Sequence, residues 1–129
     1  MLMDVVGRFD EGRPMPSYET AVHAIRLGDA VLITNPFELF LDYGVHIKTG
    51  SRAAQTIVVS LACGRGMYLP TERAGKGGPY GAHPIVVPVG PEGGRCLVED
   101  SHDLIDEVME VRPSRTSIPR STGASSKRR

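Results

Sequence analysis

The eight residues Gln55 to Ala62, Gln-Thr-Ile-Val-Val-Ser-Leu-Ala, set the strictest limit on the fold. A short run that is β-branched and nearly all apolar reads as a strand buried on both faces, and such strands belong to sheets with layers on either side. What precedes the run supplies a crossover. Thr20 to Leu27 alternates small or apolar residues with others, Gly28-Asp29 forms a two-residue turn, and Ala30 to Thr34 is a second strand, so the spacing predicts a β-hairpin. Asn35-Pro36 ends that strand, because proline removes a ladder donor and holds the preceding residue extended. From Phe37 to Lys48, residues Phe37, Phe40, Leu41, Val45 and Ile47 approximate a helical stripe, with Glu38 in the first turn, Gly44 as a weak point and Gly50 as the stop. A second helix is predicted over Glu92 to Val111, where Leu97, Ser101, Leu104, Ile105, Val108 and Met109 recur at helical spacing and Pro113 marks the end. The expected class is α/β: a small mixed sheet flanked by two main helices, resembling part of a larger α/β domain.

The chain has 129 residues and a mass of 13.9 kDa, enough for one domain. Residues 1–18, broken by Gly7, Gly12, Pro14 and Pro16, read as an irregular lead-in, and residues 19–111 as the folded module. Residues 112–129, rich in Ser, Pro and Arg, bury too little apolar surface to offset their ordering entropy and are expected to be disordered. That tail carries six basic residues and no acidic one, leaving nine basic against fifteen acidic residues in Met1 to Val111, a formal −6 beneath a net charge of +0. A neutral chain whose basic tail lacks interleaved aromatics gives no reading as a nucleic-acid binder. No apolar run is long enough for a transmembrane segment. The N-terminus has neither the basic region nor the long apolar run of a secretory signal, so a cytoplasmic location is the default expectation. Cys63 and Cys96 are too few for a disulfide framework or a four-ligand zinc site and read as buried free thiols.

Candidate chemistry gathers around Cys63 to Pro91. This stretch holds Gly64, Gly66, Gly75, Gly77, Gly78, Gly81 and Gly90, with Pro70, Pro79, Pro84 and Pro88, and reads as a long loop of the kind that carries function, interrupted by a short strand near Ile85-Val86-Val87. Tyr68 follows the buried strand, and its hydroxyl can ligate a metal or donate to an oxyanion. Glu38 lies just past a strand end, where open α/β sheets present functional side chains. Of the four histidines, His23, His46 and His102 read as surface or packing residues, whereas His83 sits in the glycine-rich loop; none has the paired spacing of a zinc site. Gly64-Arg65-Gly66 lacks the phosphate-loop spacing, and Ser60 has no nucleophile-elbow context.

The ordered motifs Arg26-Leu-Gly-Asp29, Asn35-Pro-Phe-Glu38-Leu-Phe40, Ile47-Lys48, Gln55-Thr56, Tyr68-Leu-Pro-Thr71, Gly77-Gly78-Pro79-Tyr80 and Gly90-Pro-Glu-Gly-Gly94 cover roughly residues 19 to 110. Together they resemble the C-terminal part of the catalytic domain of neutral ceramidase-like proteins, in particular an uncharacterised bacterial branch. The resemblance implies a zinc-dependent amidase that hydrolyses an N-acyl bond. It implies that Glu38, at the third position of Pro36-Phe37-Glu38, and Tyr68 are metal ligands, with Tyr80 the second tyrosine candidate; Tyr80 and His83 are candidate substrate or loop residues. It further implies that the zinc histidines and a serine involved in catalysis belong to an upstream region that this chain does not match, and Phe37 stands where the family has glycine. The expectation is therefore a truncated or split portion of such an enzyme, inactive alone, whose partner is that upstream half or a second copy. A lone portion of this kind should expose the sheet face and edges that the other half covers. The alternative expectation is a non-catalytic α/β module that binds a ligand or partner through the glycine-rich loop.

Overall fold

A computed structural model describes residues 11–12, 17–78, 80–82, 87 and 89–110. The predicted hairpin forms, with β1 (Ala24–Leu27) antiparallel to β2 (Ala30–Thr34) and Leu27 opposite Ala30. Gly28 has φ of 64°, the positive value that the first central residue of a type II′ turn requires. Residues 20–23, assigned to the first strand by their alternation, are not in it. The chain then forms β3 (Glu38–Leu39), α1 (Leu41–Gly50) and β4 (Gln55–Val59), and β4 returns parallel to β2 with Leu32 opposite Ile57. The sheet order β1-β2-β4, one pair antiparallel and one parallel, is the expected small mixed sheet.

Three expectations are corrected. The helix starts at Leu41 and not at Phe37, because Phe37 follows an Asx turn, in which its N–H donates to the Asn35 Oδ1 at 3.1 Å, and Glu38-Leu39 is held extended by a strand 30 residues away. Glu38 is therefore a strand residue and not a partner of the helix dipole. Gly50 does not stop α1; it is the last helical residue, and Ser51 is the extended cap. Nor is the Gln55–Ala62 run buried on both faces: it is a strand only to Val59, it lies at an edge, and Ile57 is 44% exposed.

After β4 come β5 (Tyr68–Leu69), α2 (Glu72–Gly77), a 3₁₀ turn (Tyr80–Ala82) and α3 (Pro91–Glu110), the last close to its predicted bounds. The glycine-rich segment is thus less of a loop than its composition suggests. Thr71 Oγ1 accepts from the Ala74 N–H at 3.2 Å at the start of α2, and Gly78, with φ of 68°, closes it by donating to the Ala74 carbonyl at 3.2 Å. The strand expected near Ile85-Val86-Val87, His83 and the C-terminal tail lie outside the described residues, except for Val87, which is not in a strand.

Both main helices pack on the same sheet face. Ile47 of α1 and Ile105 of α3 are buried against Val31 and Ile33 of β2, and a second core of Phe37, Tyr43, Leu69 and Leu97 lies next to it. Arg26 reaches from β1 to the end of α3 and donates to the Met109 carbonyl at 2.9 Å and the Val108 carbonyl at 3.4 Å, carbonyls that have no partner within the helix. The other sheet face has no helix on it among the described residues, and Ile25 and Leu27 there are 50% and 61% exposed. No helix among the described residues is long and apolar enough to cross a membrane.

Candidate functional site

The segment from Asn35 to Glu38 is held by its neighbour in space, the stretch from Leu61 to Met67. Asn35 donates its N–H to the Val59 carbonyl at 3.0 Å and accepts from the Ala62 N–H at 2.9 Å. The Pro36 carbonyl accepts from the Gly66 N–H at 2.8 Å, the Phe37 carbonyl from the Leu61 N–H at 3.3 Å, and Glu38 donates to the Met67 carbonyl at 2.8 Å. To make these bonds the second stretch bends through left-handed backbone at Leu61, Cys63 and Met67, with φ of 57°, 60° and 54°. Such φ values cost a non-glycine residue free energy, and they persist here because bonds on both sides over-determine the path. Gly66 lies against the buried Phe37 ring so closely that a Cβ would collide with it. Phe37, standing where glycine was expected from the resemblance, anchors the turn and meets Tyr18 with ring centroids 5.6 Å apart.

This clamp delivers Glu38 to β3, which pairs in parallel with β5 so that Glu38 is opposite Tyr68. In parallel pairing the side chains of opposed residues share a face. The Glu38 carboxylate is the largest influence on the Tyr68 phenol and, with smaller contributions from desolvation and from the charge of Tyr80, raises its pKa above the ordinary value. Tyr80 packs edge-on to Tyr68, with ring centroids 5.8 Å apart and planes at 83°. Gly81 permits this approach, since a Cβ there would stand 2.9 Å from the Tyr68 ring. Glu38 and Tyr68 are half-buried and Tyr80 is exposed, so the pair is covered on one side and open on the other.

Three of the four candidate residues therefore meet, although they are separated by up to 42 positions in the chain. The other histidines have structural roles or surface positions. His102 contacts Gly50 and lies 3.2 Å from the His46 carbonyl, bridging α1 and α3, while His23 Nδ1 is 3.4 Å from Thr34 Oγ1. Cys63 and Cys96 are free thiols, but both are exposed and not buried as expected, Cys63 lying in the bend after β4 and Cys96 on the outer side of α3. Among the described residues no group of three or more His, Cys, Asp or Glu converges in a way that would hold a metal ion.

One residue escaped the sequence reading. Asn35 is 2% exposed, its Oδ1 closes the Asx turn, and its Nδ2 finds no partner among the described residues. An asparagine before a proline gives a visible turn signal, but its burial comes from the Leu61–Met67 stretch folding over it. A groove of about 610 Å³ opens nearby, between Leu41 and Tyr43 of α1, Arg73 and Lys76 of α2 and Arg95 of α3. Its charges are paired, Arg73 with Asp42 at 3.2 Å, Lys76 with Glu72 at 2.9 Å and Arg95 with Glu92 at 3.1 Å, so it offers no excess charge to a ligand.

Fold and site together define a two-layer α/β chain that presents a carboxylate–phenol pair at the end of its sheet. Compared with known proteins, the chain matches no family model, no curated protein and no solved structure.

Proposed function

We propose that this chain contributes the carboxylate and phenol ligands of a zinc-dependent, ceramidase-like amidohydrolase, and that the centre becomes competent for N-acyl amide hydrolysis only when histidine ligands from another segment join it. The observation that supports this reading is the direct pairing of Glu38 with Tyr68 across two parallel strands. The motif resemblance singled out the same two residues on independent grounds. An anionic oxygen beside a phenol oxygen suits zinc, but stable sites use three or four protein ligands. The residues present fit half of a shell.

When bound, zinc would supply a Lewis acid that polarises the amide carbonyl and acidifies a water molecule. The chain's own contribution is positional. The clamp around Asn35 to Glu38 fixes the backbone from which the carboxylate projects, and the carboxylate beside Tyr68 favours the protonated phenol. Tyr80, exposed beside Tyr68, is placed to contact a substrate at the open side.

Zinc titration by calorimetry on the wild-type chain and Glu38→Ala tests the reading. Binding weak enough to be removed by dialysis, and at least tenfold weaker still in Glu38→Ala, is expected; tenfold corresponds to about 1.4 kcal/mol. Equal affinity in the two proteins would remove Glu38 from the metal site. Zinc-dependent release of fatty acid from an N-acyl substrate by this chain alone would overturn the claim that it holds half a centre.

A further inference from the structure

The formal charge of +0 is the sum of unequal parts. Residues 1–90 hold eight basic and eight acidic residues, α3 holds seven acidic residues against Arg95 alone, and residues 112–129 hold six basic residues and no acidic one. A helix of formal charge −6 is therefore followed, after Val111, by a segment of +6.

On α3 the charge lies on one face. Leu97, Ser101 and Ile105 are buried, and all seven acidic residues are exposed on the opposite side of the helix. Glu99, Asp103 and Glu107 follow one another at i, i+4 spacing, as do Asp106 and Glu110, and like charges at that spacing destabilise a helix. Asp106, Glu107 and Glu110 also stand at the end where the helix dipole is negative, with no basic residue of α3 in its last turn. Relief from other side chains is partial. Arg52 lies 3.9 Å from Asp106 and 3.4 Å from Glu110, and Arg95 is taken by Glu92 at 3.1 Å, but Glu99, Asp100, Asp103 and Glu107 have no ion-pair partner among the described residues.

These four carboxylates call for a cation of extended form. Among the described residues they do not converge in a group that would hold a metal ion. Instead the acidic run from Glu99 to Glu110 spreads over about 17 Å of helix. The segment beyond the helix is spread in the same way, with Arg112, Arg115 and Arg120 separated by Pro, Ser, Thr and Ile. Extended chain from Glu110 to Arg120 reaches roughly 33 Å, enough to double back over all four carboxylates. Because this segment is joined to α3 through Val111, its concentration at the face is on the order of millimolar, an advantage that a separate basic partner lacks.

We propose that the basic segment 112–129 doubles back along the acidic face of α3, its Arg112, Arg115 and Arg120 serving Glu107, Asp103, Asp100 and Glu99. The contact is electrostatic, needs no secondary structure in the segment, and is independent of the function proposed above.

Cys96 stands exposed on the same side of α3, one turn before Asp100, and places a reporter on the face. With a nitroxide on Cys96 of the isotope-labelled full chain carrying Cys63→Ser, the amide signals of residues 112–120 report how closely they approach it. They should be at least about twofold weaker in 0.01 M salt, where the Debye length is about 30 Å, than in 1 M salt, where it is about 3 Å. The triple variant Asp100→Asn, Asp103→Asn and Glu107→Gln should show the high-salt signals already at low salt. Signals that ignore salt, or that respond to it equally in the triple variant, would overturn the proposal and leave the face to a separate cationic partner. Weakening that also arises when nitroxide-bearing chains without isotope are mixed with isotope-labelled chains without nitroxide would overturn it too, by assigning the face to the tail of a second copy.

Discussion

Two glycines in helices, Gly44 and Gly94, respond to the same substitution with opposite sign. Gly44 lies inside α1, and a Cβ there meets nothing within 4 Å. Gly44→Ala should therefore stabilise the protein by about 1 kcal/mol, the usual gain when a helix interior loses glycine's backbone entropy. Gly94 lies buried in the first turns of α3, where a Cβ would collide with the Tyr43 ring. That ring cannot yield cheaply, because it is itself buried and its hydroxyl donates to the Pro70 carbonyl at 3.0 Å. Overpacking of this kind costs about 1–3 kcal/mol, more than the helix gain returns. Urea unfolding of the two variants should move the midpoint up for Gly44→Ala and down for Gly94→Ala; two shifts of the same sign would mean that the close approach of α3 to Tyr43 is relieved at no cost. The sequence exposes the first glycine as a weak point in a helix. It cannot expose the second, whose collision partner is 51 residues away.

At the scale of elements, α3 and the hairpin were legible because their signals are local: a helical period sustained over 20 residues, and two apolar runs joined by Gly28-Asp29. Where an element owes its form to a distant partner, periodicity misleads. Phe37 and Phe40 imitate the first turn of a helix, yet their segment is a turn and a strand because the stretch from Leu61 to Leu69 takes up its backbone bonds. The composition of α2 hid a helix whose caps, Thr71 and Gly78, were in plain view, since Gly75 and Gly77 depress its propensity. The Glu38–Tyr68 pairing was nominated by resemblance alone; the register that joins the two residues is a tertiary fact. A further long-range link runs from Arg26 to the end of α3, and the same side chain donates its Nε–H to the Gly28 carbonyl at 2.7 Å in the hairpin turn. Arg26→Met keeps the aliphatic stem and removes the guanidinium from the Val108 and Met109 carbonyls. A cation at a helix C-terminus contributes up to about 1 kcal/mol where partly exposed. The variant should lose at least about that much stability, with faster hydrogen exchange at the β1–β2 turn and, within α3, only in its last turn. Uniform acceleration along the whole helix would instead mean that Arg26 holds α3 on the sheet.

Across the whole molecule, the two core clusters share Val22, Leu39 and Val98, and Tyr43 secures the one that underlies the candidate site. Its hydroxyl bonds to the Pro70 carbonyl, and to that of Pro91 at 3.4 Å, so one phenol joins α1 to the segments that begin α2 and α3. Burial, the largest influence, raises the Tyr43 pKa; Arg95 opposes it, and Glu92 and Asp42 add to it. The folded state therefore holds this proton more tightly than the unfolded chain does. Its contribution to stability is fully present below the ordinary phenol pKa near 10 and is lost as pH rises through the higher folded value. Tyr43→Phe removes the hydrogen bond and the titration together. At pH 8 the variant should be less stable by about 1 kcal/mol, the typical net value of such a bond. Between pH 8 and pH 11 the wild type should lose stability more steeply than the variant, so that the two urea midpoints converge. Parallel losses would place the alkaline sensitivity at another group, with Tyr68, whose phenol is also raised, the next to replace.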